Sequence, residues 1–316
     1  MSDRHTPLPA ALRDWLAGIN ETRRALVARG FTYTATNVRE ALEATTRRFV
    51  TRAPEIAYVR DELVPGPDYR VPVRVYHPRP QGGLPVALFA HGGGHVAGST
   101  SVYDPIARKL ASSTGQVIIS VDYRLAPECP YPAALKDLMS AAKGAFALLD
   151  ALGLPYRPSL RLIGASGGGA LSATLAHRAQ FEPGVTIERQ VLLYPSLDYT
   201  LASPSTVENG TGYLLERERI LWLFDCYLQN AEDRSAVSPL FMPITKSYPR
   251  TLIVTAEYDP LRDEGIAYAE RLVEAGVACE HQAVDGMIHA FLNLEDLVPE
   301  QCGSLYRRLE RFFLDA

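Results

Sequence analysis

Residues 161–172 read RLIGASGGGALS: an apolar run, a serine set among glycines, then a stretch of helical character. Within it GASGG, Gly164 to Gly168, fits G-x-S-x-G. Between a strand and a helix this pattern forms a nucleophile elbow, a tight strained turn that presents the serine hydroxyl. Gly164 and Gly168 would remove side chains that collide across the turn. The following helix would aim its N-terminal dipole at a nascent oxyanion. Two other readings compete: a bland turn that only needs small residues, and a phosphate-cradling loop. The phosphate loop fails, because the stretch has neither G-x-G-x-x-G nor a Lys-Ser/Thr ending. Whether Ser166 is a nucleophile has to be decided by the rest of the chain.

Short apolar runs of strand length flank this one: VALFAHG (86–92), VIISVDY (117–123), VLLYPSL (191–197) and TLIVTAE (251–257). Runs of this kind suit strands buried on both faces of a parallel sheet. Helical spacing over 103–113, 132–150, 168–180 and 262–275 alternates with them, which predicts a mostly parallel sheet covered by helices on both sides. AYVRDELV and YRVPVRVYHP flank the turn PGPD (65–68) and predict an antiparallel pair at the sheet edge. Two segments stand outside the alternation. Residues 8–49 carry an apolar stripe through Leu12, Trp15, Leu16, Ile19, Leu26 and Val27, and residues 210–230 form a second helical insertion. Each is either an ordinary packing helix or part of a lid over a pocket.

Composition narrows the function classes. The 316 residues are 47% hydrophobic and 22% charged, enough for one large α/β domain, and the net charge of −4 includes no long basic run. Neither nucleic acid nor an anionic membrane is expected as a partner. Cys129, Cys226, Cys279 and Cys302 have no metal-ligand spacing and read as reduced thiols, so no metal site is expected. MSDRHTPLPA holds no apolar signal core, and no apolar stretch is long enough to span a bilayer. A soluble, cytoplasmic protein is the expectation.

HGGG at His91–Gly94 ends another strand-like run upstream of Ser166, where the oxyanion loop of an α/β-hydrolase belongs. A serine hydroxyl also needs a base, and the base an orienting carboxylate. Among seven histidines, His289 in DGMIHAF follows a late strand-like run on a loop. His5 is in the tail, His77 and His281 are in strands, His177 is in the helix after the elbow, and His91 braces the glycine loop. Asp259, directly after TLIVTAE, is the candidate carboxylate. Asp263 looks more like the start of the next helix, and Asp285 is too close to His289 in sequence to reach back. The order Ser166, Asp259, His289 is that of α/β-hydrolases, and it assigns Ser166 as the nucleophile.

HGGG (91–94), DYRLAPE (122–128), GASGG (164–168), YPSLD (194–198), DPLRDEG (259–265) and DGMIHAF (285–291) together resemble the hormone-sensitive-lipase group of α/β-hydrolase esterases, from about residue 56 onward. The resemblance implies an α/β-hydrolase fold: a mostly parallel eight-stranded sheet with flanking helices and a helical cap. Residues 1–50 would be one cap segment, 51–316 the catalytic domain, and 200–235 a second cap insertion. It implies a serine carboxylesterase acting on short acyl esters through an acyl-enzyme, without cofactor, and with a homodimer through the last strand and helix as one assembly. Gly93, Gly94 and Gly167 would hold the oxyanion, and Tyr123, Arg124 and Glu128 the scaffold. His95, Tyr194 and Trp222 are expected at the substrate pocket, with Phe224 and Tyr227 helping to close it.

Two positions depart from the group. Ala165 and Gly167 replace the acidic and alanine residues of G-D-S-A-G, and His95 stands where an aromatic usually follows HGGG. These changes bear on local hydrogen bonding and on the pocket mouth. The alternatives are a non-catalytic small-molecule receptor on the same scaffold, against which the retained His289 argues, and an amidase using the same triad.

Overall fold

The computed structural model describes residues 6–314; His5 lies outside them. Eight strands form one sheet: β1 (Tyr58–Val64), β2 (Val71–His77), β3 (Leu84–Ala90), β4 (Val117–Val121), β5 (Tyr156–Ala165), β6 (Ile187–Leu193), β7 (Arg250–Tyr258) and β8 (Cys279–Ile288). Their spatial order is β1-β2-β4-β3-β5-β6-β7-β8. The first two pair antiparallel, β2 also runs antiparallel to β4, and the remaining neighbours are parallel. The helices are α1 (Ala10–Val27), α2 (Ala35–Phe49), α3 (Asp104–Thr114), α4 (Ala133–Ala151), α5 (Gly167–Ala179), α6 (Ser205–Glu208), α7 (Arg217–Tyr227), α8 (Arg234–Val237), α9 (Arg262–Glu274) and α10 (Pro299–Leu314).

The continuous apolar strands do what two-faced burial requires. Along β3, Val86, Leu88 and Ala90 face a core built with α4, α5 and α9, while Ala87 and Phe89 face a second core built with α3 and α10. A third, smaller core joins α2 and α7 above the loop after β3, through Val38, Val96, Ala97, Tyr199, Leu223, Phe224 and Tyr227. The insertion is less helical than its composition predicts. Residues 210–216 are irregular because Leu214 takes a positive φ of 72° and Gly212 one of 88°, and α7 begins only at Arg217. Among the described residues no helix is long and apolar enough to cross a membrane.

Candidate active site

Every motif singled out in the sequence lies at the C-terminal end of a parallel strand, where open α/β sheets place their ligand sites. Ser166 follows β5 immediately with φ 54° and ψ −119°, a region a non-glycine residue enters only when its surroundings hold it there. The surroundings do so through the backbone. Its N–H donates to the Leu193 carbonyl at 2.9 Å, and its carbonyl accepts from Gly169 and Ser196 at 2.8 and 3.1 Å. The turn also demands bare backbone at Gly168, where an added methyl would stand 2.1 Å from the Ala90 carbonyl oxygen.

His289 lies one residue beyond β8, and its Nε2 is 2.8 Å from Ser166 Oγ. Its Nδ1 is 2.8 Å from Asp259 Oδ2. Asp259 follows β7, is fully buried, and accepts the Leu261 N–H on its other oxygen at 2.8 Å. With Nδ1–H donating to the carboxylate, Nε2 is left to accept the serine proton. Asp263 is engaged elsewhere, by the Ser205 N–H and by Arg262, and Asp285 is exposed on β8. Ser166 is 8% exposed and His289 5%, so the site is nearly closed.

Gly93 and Gly94 take φ values of 128° and 60° in the loop after β3. A methyl at Gly93 would lie 2.0 Å from the Ala97 carbonyl oxygen. A methyl at Gly167 would meet the Gly94 nitrogen at 3.2 Å and the His95 nitrogen at 3.1 Å, so the two glycine loops touch. An alanine at 167 would sit tightly against this loop. His91 does brace the loop: its ring stacks between Tyr103 and Tyr123, and the Tyr123 hydroxyl donates to the His91 carbonyl at 2.7 Å.

The three residues expected at the pocket lie differently. His95 is wholly buried, stacked on Tyr227 at 3.8 Å with Nε2 3.1 Å from the Tyr199 hydroxyl. It therefore ties the glycine loop to α7; burial pushes its pKa down to about 3. Tyr194, buried with φ 38°, sets its ring edge-on to His289 at 5.2 Å and supports that imidazole from the side. Trp222 is half-buried and packs on Tyr33 at 5.9 Å, joining α7 to the segment before α2. Phe224 and Tyr227 turn toward Tyr199 and His95. The α7 side chain that lies over the glycine loop is Leu223, whose methyls press on Gly94.

Sequence reasoning missed Leu223's position, and it missed Arg39. From α2, Arg39 donates to the Val96 carbonyl at 2.8 Å and the Ala126 carbonyl at 3.1 Å, and grips Glu128 with two nitrogens. Nothing local marks such a contact, since its partners lie 57 and more residues away. The only available signal was DYRLAPE itself, which left Glu128 in need of a cation.

A family model described as alpha/beta hydrolase fold matches residues 87–293, which include both glycine loops, Asp259 and His289. The chain is 33% identical over 274 residues to an ethyl acetate hydrolase of Pseudomonas putida, covering 84% of this chain and 86% of the relative. It belongs to the hormone-sensitive-lipase-like α/β-hydrolase esterases. This esterase is also 35% identical over 278 residues to carboxylesterase NlhH of Mycobacterium tuberculosis, covering 85% and 86% of the two chains. Its fold superposes on a hyperthermophilic esterase from the archaeon Pyrobaculum calidifontis with a TM-score of 0.85 and 32% identity, over 97% of this esterase and 98% of the other.

Proposed function

We propose that this carboxylesterase hydrolyses short-chain acyl esters through an acyl-enzyme on Ser166. The observation that carries the reading is the unbroken chain Ser166–His289–Asp259, with both links at 2.8 Å. His289 Nε2 takes the hydroxyl proton as Ser166 Oγ attacks the ester carbonyl carbon. Asp259 holds the imidazolium that forms. The N–H groups of Gly93, Gly94 and Gly167 receive the oxyanion; each such donor is worth about 3 kcal/mol of barrier. His289 returns the proton to the departing alkoxide, and the alcohol leaves. Water, deprotonated by the same imidazole, then attacks the acyl-serine, releasing the carboxylic acid and restoring Ser166.

In this reading residues 1–50 and 200–235 serve as a cap over a catalytic domain of residues 51–316. His95, Tyr194 and Trp222 act from behind the substrate pocket: they hold the glycine loop, the imidazole and the cap. Four free thiols suit a cytoplasmic setting, and the outer edge of β8, the last strand of the sheet, suits pairing with a second copy.

A rapid-mixing assay with 4-nitrophenyl acetate tests the chemistry. The expected result is a burst of nitrophenol equal to the enzyme concentration, and a small phosphonate ester that blocks activity while adding its mass to the Ser166 peptide. Labelling elsewhere, with full inactivation, would require another nucleophile. Size-exclusion chromatography with light scattering tests the pairing.

A further inference from the structure

Arg219 lies in the first turns of α7, half-buried, with its Nε shielded from solvent and without a hydrogen-bond partner among the described residues. It has no ion-pair partner among them either. The acids nearest in sequence are taken: Arg23 from α1 reaches Glu216 at 3.1 Å and Glu218 at 3.7 Å. Burial works against the Arg219 charge, and the nearby Tyr33 phenol favours it. A guanidinium nitrogen shielded from water without a partner is costly, and an incoming anion beside it would offset that cost.

Its location gives the use. Positions 219 and 223 are four apart on α7 and share a face, about 6 Å along the axis. Leu223 on that face presses on Gly94 of the glycine loop. Trp222, three positions on from Arg219, packs on the same Tyr33. Position 219 thus lies between the Trp222 and Leu223 flanks of α7, one helical turn from the residue beside the glycine loop. A carboxylate is an anion that a planar guanidinium fork recognises well.

We propose that Arg219 is a specificity residue and that the substrates of this esterase are esters bearing a carboxylate. The proposal rests on the serine-esterase reading above. The ester is anchored through its charge under the cap while its carbonyl meets Ser166. Arg219 touches the substrate away from the reacting atoms, so its contribution falls on KM more than on kcat.

Two matched pairs of esters test this. For charge on the acyl side the pair is 4-nitrophenyl butyrate and mono-4-nitrophenyl succinate. For charge on the alcohol side it is phenyl acetate and 4-acetoxybenzoate. The expected result is a preference for the anionic member in one pair, expressed in KM and weakened by salt. Arg219→Met should reduce the ratio of kcat/KM, anionic over neutral, roughly ten- to hundredfold, and Arg219→Lys should restore part of it. Preference for the neutral member in both pairs by the wild-type chain overturns the proposal, whether or not the variants fold. So does a ratio that Arg219→Met leaves unmoved. Calorimetry of monoethyl succinate binding to Ser166→Ala separates the two readings. Arg219-dependent binding without turnover of any ester by the wild-type chain would remove the esterase reading and keep the carboxylate site. Turnover of neutral esters with no carboxylate binding would do the reverse.

Discussion

The loops at the strand ends and the helices above them meet over the same serine, yet they are built by different rules. The loops are specified from within. Ser166 at φ 54°, Gly93 at 128° and Gly168 against the Ala90 carbonyl each depend on backbone conformations that only certain residues tolerate. The helices are specified from outside, by partners far along the chain: Arg39 on Val96, Trp222 on Tyr33, Leu223 on Gly94. Substitutions in the first region should therefore abolish chemistry while the fold stands, and those in the second should change stability or substrate choice.

The sharpest separation comes from Ser166→Ala. Loss of a triad serine costs about 10⁶-fold in turnover in subtilisin, and a similar loss is expected here with an unchanged melting temperature. Near-normal hydrolysis by the purified variant would dissolve the distinction altogether. Next in size is Asp259→Asn, for which about 10⁴-fold is expected because an amide holds the imidazole in the wrong tautomer. Asp263→Asn, whose carboxylate binds the Ser205 N–H, should cost far less activity. Reversed effects would move the acid to position 263.

On the helical side Phe224→Ala is expected to destabilise by about 3–5 kcal/mol, read from urea unfolding, because its buried ring stands edge-on to Tyr199 at 4.8 Å. His95 provides a test by pH. Its native pKa, about 3, lies below the roughly 6.5 of an unfolded histidine, so between those values the unfolded chain binds the extra proton. Stability is therefore full above pH 6.5 and declines as the pH falls toward 3, by about 1 kcal/mol per pH unit for this group. His95→Phe, which keeps an aromatic ring on Tyr227, should show a shallower decline in melting temperature between pH 6.5 and 4. An identical slope would assign the acid sensitivity to other groups. The smallest effect is expected from Leu223→Ala, which opens space beside Gly94. With esters of increasing acyl length, kcat/KM should rise for a few carbons, at about 0.8 kcal/mol per methylene, and then drop. The variant should move the drop by one or two carbons, whereas Trp222→Ala, on the Tyr33 side of α7, should not.

The same division explains what could be read in advance. The strand runs, the edge hairpin and the order of serine, acid and histidine follow from local periodicity and turn chemistry. All three side chains of the hydrogen-bonded chain were legible from motif, strand-end position and chain order together. The helical insertion resisted because its contacts are not periodic. Composition marks 210–230 as helical and apolar, but which flank of α7 meets the glycine loop depends on where the helix starts. The irregular stretch through Gly212 and Leu214 delays that start to Arg217. The aromatic residues consequently turn into the third core and a leucine meets Gly94. The placement of His95 was hidden for a related reason. Sequence proximity to HGGG suggests the pocket, but its positive φ of 65° turns the ring toward α7.

Arg39 has a consequence for anyone recombining this esterase with its relatives. One side chain from the second helix holds two carbonyls beside the glycine loop and a carboxylate on the next loop. Residues 6–49 are thus no detachable cover. A chimaera that exchanges them must carry the Arg39–Glu128 clasp across the junction as a matched pair, or the glycine loop loses its outer support.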